Sequence, residues 1–106
     1  MRIRIGLAVF ACSALGSVAA RADVIDGAWC HEGLRLTISG PAIVTPGGTK
    51  TSGDYSRHAF SYVVPASEPQ PGTTVMMRLL NEETMNLRAS PEAAWETWRR
   101  CGPPIS

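Results

Sequence analysis

The segment Trp95-Glu96-Thr97-Trp98-Arg99-Arg100-Cys101 decides the fold, because it reads in two ways. Ser90-Pro91-Glu92 upstream is a helix start, and Arg99-Arg100 followed by Gly102 and Pro103 is a helix stop. Local signals alone give a helix. The competing reading is a short helical turn over 91–94 and a strand over 95–101, and topology favours it. Short antiparallel strands expose their edges, and pairing the last strand with the first removes both edges. Cys30 and Cys101 then lie on neighbouring strands or strand ends. A disulfide requires Cα atoms within about 7 Å, so covalent pairing and sheet closure support each other.

From Gly33 onward, Gly and Pro recur at short intervals and leave apolar segments of strand length, with no long helical periodicity. Leu34-Arg35-Leu36-Thr37-Ile38 alternates, putting Leu34, Leu36 and Ile38 on one face. Gly40-Pro41 turns into a strand over 42–45, and Pro46-Gly47-Gly48 makes the next turn. The stretch 55–64 reads as one strand with His58, Phe60, Tyr62 and Val64 on one face, ended by Pro65. Residues 73–80 alternate with Val75, Met77 and Leu79 on one side, and Asn81-Glu82-Glu83 turns into a hairpin partner over 84–88. The expected fold class is all-β: a small antiparallel β-barrel or strongly curved sheet of roughly six to seven short strands, closed by a Cys30–Cys101 disulfide.

The 106-residue chain is 44% hydrophobic and 18% charged, which fits one domain with a small core. Arg2 and Arg4 precede an apolar or small run over 5–20, and Ala20-Arg21-Ala22 supplies the small residues of a signal-peptidase site. The expected organisation is a cleaved signal peptide over 1–22 and a small β-barrel domain over 23–106. Phe10 stands where a lipid-attachment motif has a small residue, so Cys12 leaves with the signal. So do three basic residues and no acidic one, leaving seven basic against nine acidic and a net charge of −2. Cys30 and Cys101 remain as the only pair, without a Cys-x-x-Cys motif. In an oxidising, periplasmic or secreted location their disulfide contributes about 4 kcal/mol by loop closure.

Asp26-Gly27-Ala28-Trp29, at the head of the first strand, resembles the Gly-x-Trp signature of the calycin-like barrels, the lipocalins and avidins. The resemblance implies a Trp plugging the barrel floor and a basic residue from the far end of the chain packed across its indole. Trp29 takes the first role and Arg99 or Arg100 the second, a cation–π contact worth about 0.5 to 2 kcal/mol. The whole chain also looks like the small exported, disulfide-closed proteins of unassigned role found in Gram-negative bacteria, and periplasmic lysozyme inhibitors share that size and shape. A barrel smaller than a lipocalin implies a filled core.

No catalytic constellation stands out. Gly-x-Ser-x-Gly, P-loop and His-Glu-x-x-His motifs do not occur. His31, His58 and a carboxylate make a poor zinc set, and adjacent Glu82 and Glu83 belong to a solvated turn, so no metal or cofactor is expected. Lys50, Tyr55, Arg57 and His58 form the candidate binding surface, because Gly53-Asp54-Tyr55 reads as a loop entering a strand. Of Trp95 and Trp98, a strand turns only one inward, and the other is a candidate partner contact. The acidic balance argues against nucleic acid. The expectation is an exported, non-enzymatic small β-barrel that binds a protein partner, such as an envelope protein, or a small ligand through loop residues, without stable membrane insertion once the signal is cleaved. The alternative is a structural or envelope-stress accessory protein without a defined ligand.

Overall fold

The computed structural model describes residues 24–102, and the expected signal peptide over 1–22 lies outside the described residues. Among the described residues nine strands follow one another: β1 (Gly27–His31), β2 (Leu34–Ser39), β3 (Ala42–Val44), β4 (Lys50–Ser52), β5 (Asp54–Ser56), β6 (Ala59–Val63), β7 (Thr74–Leu79), β8 (Thr84–Arg88) and β9 (Glu96–Arg100). They form a single sheet in the order β4-β3-β2-β1-β9-β8-β7-β6-β5, antiparallel at every step. The sheet curls into a nearly closed barrel. Residues 91–93 form a turn held by the Ala93 N–H on the Ser90 carbonyl at 3.1 Å, and the decisive segment is a strand.

That strand makes the seam. Trp29 pairs with Arg100 and Cys30 with Arg99, and the Cys101 N–H donates to the Ala28 carbonyl at 3.1 Å. Cys30 and Cys101 are disulfide-bonded across it with Cα atoms 5.0 Å apart. On the opposite side the barrel closes through one kinked stretch of chain, 50–56. Its first half pairs with β3 and its second half with β6. Gly53 makes the kink, with its N–H on the Pro41 carbonyl at 2.9 Å. A Cβ here would lie 2.1 Å from the Ser61 carbonyl oxygen, so only glycine lets the strand press against β6.

The strand count is a correction to the expected six or seven. The stretch 55–64 is not one strand: Arg57 and His58 turn it into the β5–β6 hairpin, with Tyr55 opposite Phe60 and Ser56 opposite Ala59. His58 is therefore exposed in a turn and does not share the face of Phe60 and Tyr62. No Gly, Asn or Pro marks this turn. Neighbouring chain holds it instead: the Ile25 N–H donates to the Arg57 carbonyl and the Leu79 N–H to the His58 carbonyl, both at 2.8 Å. Leu34 also differs from expectation, being 48% exposed at the end of β2 while Leu36 and Ile38 are buried.

Alternation fills the interior. Trp29, Leu36, Ile38, Ile43, Phe60, Tyr62, Val75, Met77, Met85, Leu87 and Trp98 all point inward and are at most 5% exposed. Ile25, from the segment before β1, is fully buried with them. At roughly 1.5 to 3 kcal/mol per large apolar side chain, this set supplies the main driving force for folding. Burial pushes the Tyr62 hydroxyl up to about 12, with the Glu68 charge adding to it.

Candidate functional site

Two constellations of charged and aromatic side chains stand on this barrel, one at its end and one on its outer wall. The first closes the end where the 57–58 and 80–83 turns lie. Residues 24–26 cross that end, and the Trp29 indole N–H donates to the Ile25 carbonyl at 2.9 Å. Arg100 lies over Trp29, its guanidinium carbon 4.1 Å from the ring centroid. Its nitrogens donate to the carbonyls of Asp26 at 2.5 Å, Val24 at 2.8 Å and Glu82 at 2.8 Å. Arg99, the other residue considered for this role, faces outward and is exposed. Asp26 completes the end by accepting from the Tyr55 hydroxyl and, at 2.8 Å, from the Gly40 N–H. Partial burial pushes the Asp26 carboxyl up, but these hydrogen bonds and the nearby Arg100 outweigh it and hold the carboxyl below its usual value. The same bond raises the Tyr55 hydroxyl.

The candidate binding residues do not gather. Tyr55, Arg57 and His58 lie at or near this closed end, whereas Lys50 opens β4 opposite Val44. About 20 Å of extended chain separates Lys50 from Arg57. Lys50 is exposed at the other end of the barrel, where the loop over 45–49 meets the loop over 64–73. There Thr45, only 1% exposed, donates its hydroxyl to Glu68 at 2.5 Å and accepts from the Thr49 N–H at 3.1 Å. The hydroxyl bond from Thr45 holds the Glu68 carboxyl below its usual value.

The second constellation joins Trp95, the outward member of the tryptophan pair, to two arginines that the sequence did not single out. The outward positions of β5–β8, with Trp95, line a groove of about 470 Å³, within the usual range for a small-molecule site. Trp95 is half-buried because the guanidinium carbons of Arg78 and Arg88 lie 4.1 and 4.6 Å from its ring centroid. Trp98, its partner in the decisive segment, is 2% exposed and stacks on His31 with ring centroids 5.2 Å apart. Arg78 and Arg88 are both on the outward face of their strands, but their meeting depends on register. Arg78 pairs with Asn86 and Arg88 with Met76, which sets the two arginines diagonally on one face. The strict alternation of 73–80 and 84–88 carried that signal.

Among the described residues no group of three or more His, Cys, Asp or Glu is placed to hold a metal ion. His31 lies 3.7 Å from Glu32 and 3.8 Å from Glu96, and its Nδ1 is 3.0 Å from the Thr97 carbonyl. Compared with known protein families, curated proteins and solved structures, the chain matches none.

Proposed function

We propose that this protein is an exported, non-enzymatic binding domain that takes its ligand on the outer wall of the barrel, in the groove beside Trp95. The observation that carries this reading is the contrast between the two sides of the sheet. The inner side is occupied by buried apolar side chains, including two indoles. A groove of about 470 Å³ opens on the outer side and carries exposed polar and aromatic groups. Loops contribute less than their surface position suggested, since Lys50 is remote from Tyr55 and Tyr55 is engaged by Asp26.

Export is supported by the N-terminal pattern and by the Cys30–Cys101 disulfide, which fits an oxidising compartment. The resemblance to calycin-like barrels is supported by the position of Trp29 under Arg100. Two measurements test the reading. Mass spectrometry of the protein recovered from a bacterial periplasm is expected to give a start near Asp23 and a mass two hydrogens below the dithiol. Screening of a small-molecule library by amide and indole NMR shifts is expected to perturb Trp95, Met76 and Arg78. Shifts confined to Trp29 and its interior neighbours would overturn the outer-wall reading.

A further inference from the structure

Arg88 is the anomaly in the groove. Its Nε is buried and has no hydrogen-bond partner, although an unpaired buried donor of a charged group is costly. One of its terminal nitrogens makes only a long contact to the Met76 sulfur, at 3.9 Å. Among the described residues no carboxylate lies within ion-pair distance of Arg78 or Arg88. Two cations thus share one indole, with no carboxylate of the described residues paired to either. Stacking on Trp95 holds the guanidiniums in place but uses none of their N–H donors.

The remainder of the groove sets the shape of what could supply an anion. Strand registers place Asp54, Ser61, Met76 and Arg88 in one row across β5–β8, with Ser56, Ala59, Arg78 and Asn86 in the next. Small side chains at 59 and 61 and the half-exposed Met76 leave a shallow floor. Asp54 closes the row about 14 Å from Arg88, three strand spacings away. One end of the trough carries two arginines, the middle the small Ala59 and Ser61 with Met76, and the far end Asp54.

We infer that the groove binds small organic monoanions, carboxylates or sulfonates, with the anionic head on Arg78 and Arg88 and the apolar body over Ala59, Ser61 and Met76. This rests on the outer-wall reading above and adds the chemical class of the ligand. The Arg fork matches a planar or trigonal oxyanion, and charge-assisted bonds to it are the strong kind. Asp54 repels a second negative group at the far end, so dianions of the same size are disfavoured.

The test uses the exported, disulfide-bonded protein labelled with ¹⁵N and three probes: naphthalene-2-sulfonate, the neutral 2-naphthalenemethanol and naphthalene-2,6-disulfonate. The readout is the Trp95 indole N–H, with those of Trp29 and Trp98, bonded to Ile25 and Glu96, as internal references. The monosulfonate is expected to move Trp95 and to bind about tenfold or more tightly than the neutral probe, the scale of one charge-assisted hydrogen bond. Arg88→Met loses that advantage, and Asp54→Asn admits the disulfonate. Equal affinity for the sulfonate and the neutral probe, with Trp95 moving in both, overturns the anion assignment and leaves the outer groove standing. If neither moves Trp95, the outer-wall reading falls with it. Should Arg88→Met fail to fold, Arg88→Lys keeps the charge without the fork, and undiminished sulfonate binding there argues against bidentate capture.

Discussion

Arg100 over Trp29 and the arginine pair over Trp95 are the same contact made in two places. The guanidinium carbons stand 4.1 Å from the Trp29 centroid and 4.1 and 4.6 Å from that of Trp95. The difference is in the donors. Arg100 spends its N–H groups on three backbone carbonyls, two of them on the segment that crosses the barrel end, with Asp26 nearby. Arg88 leaves a buried Nε unpaired, and among the described residues no carboxylate lies within ion-pair distance of either cation beside Trp95. A stacked arginine with each of its three nitrogens bonded to backbone ties separate pieces of chain together. One whose donors are incomplete is held in place by the ring while its hydrogen-bonding capacity remains open to something else.

The comparison makes the closed end the seat of stability, and the seam beside it is the first place to test that. Cys30 and Cys101 span 71 positions of sequence, so loss of the bridge in Cys30→Ser removes about 4 kcal/mol of loop-closure stabilisation. A domain of this size then melts about 15 to 30 °C lower, measured by circular dichroism. An unchanged melting temperature would show that β1–β9 pairing holds the seam unaided. Next in size is Arg100→Met, which keeps an apolar stem on Trp29 but orphans the carbonyls of Val24, Asp26 and Glu82. The expected cost is about 2 to 3 kcal/mol by denaturant unfolding.

Asp26 gives a smaller effect with a definite sign. Its carboxyl is held below the ordinary value of a free aspartate in the folded protein, so its contribution is present above that ordinary value and is lost as pH falls through the lower folded one. Asp26→Asn is therefore expected to flatten the fall in melting temperature at acid pH and to leave the neutral-to-acid difference smaller. Tyr62 acts at the other limb. Being raised to about 12, it keeps its proton in the folded state after the unfolded chain has released it, so stability declines as pH rises above about 10.

How far the sequence carries depends on whether a feature is local. Val75 and Met77 are buried where the alternation of 73–80 put them, Leu79 packs partly buried against them, and 81–83 turn as their composition indicated. The strand over 95–101 was legible only through closure, because its flanking residues favour a helix. Arg57-His58 was missed because that turn is imposed by the N–H groups of Ile25 and Leu79, residues far away in the chain. Gly53 appeared as a loop residue, and its role as a kink follows from the approach of Ser61, which no local pattern encodes. The Arg78–Trp95–Arg88 cluster needs the β7–β8 register and the path of the 89–95 loop together, so its members looked like ordinary outward residues.

The smallest expected effect is the one that separates the two stacks most sharply. Arg88→Met removes a cation–π contact worth about 0.5 to 1 kcal/mol at a partly exposed site. It also removes a buried unpaired Nε and relieves the repulsion of Arg78, terms of comparable size and opposite sign. Stability is therefore expected to stay within about 0.5 kcal/mol of the parent protein, against the several-fold larger loss for Arg100→Met. Since both substitutions leave a methionine beside a tryptophan, the difference between them isolates the hydrogen bonds from the stacking. A loss at Arg88 equal to that at Arg100 would mean that the outer pair is also a fastening of the fold, and the groove would then have no spare cation to offer a ligand.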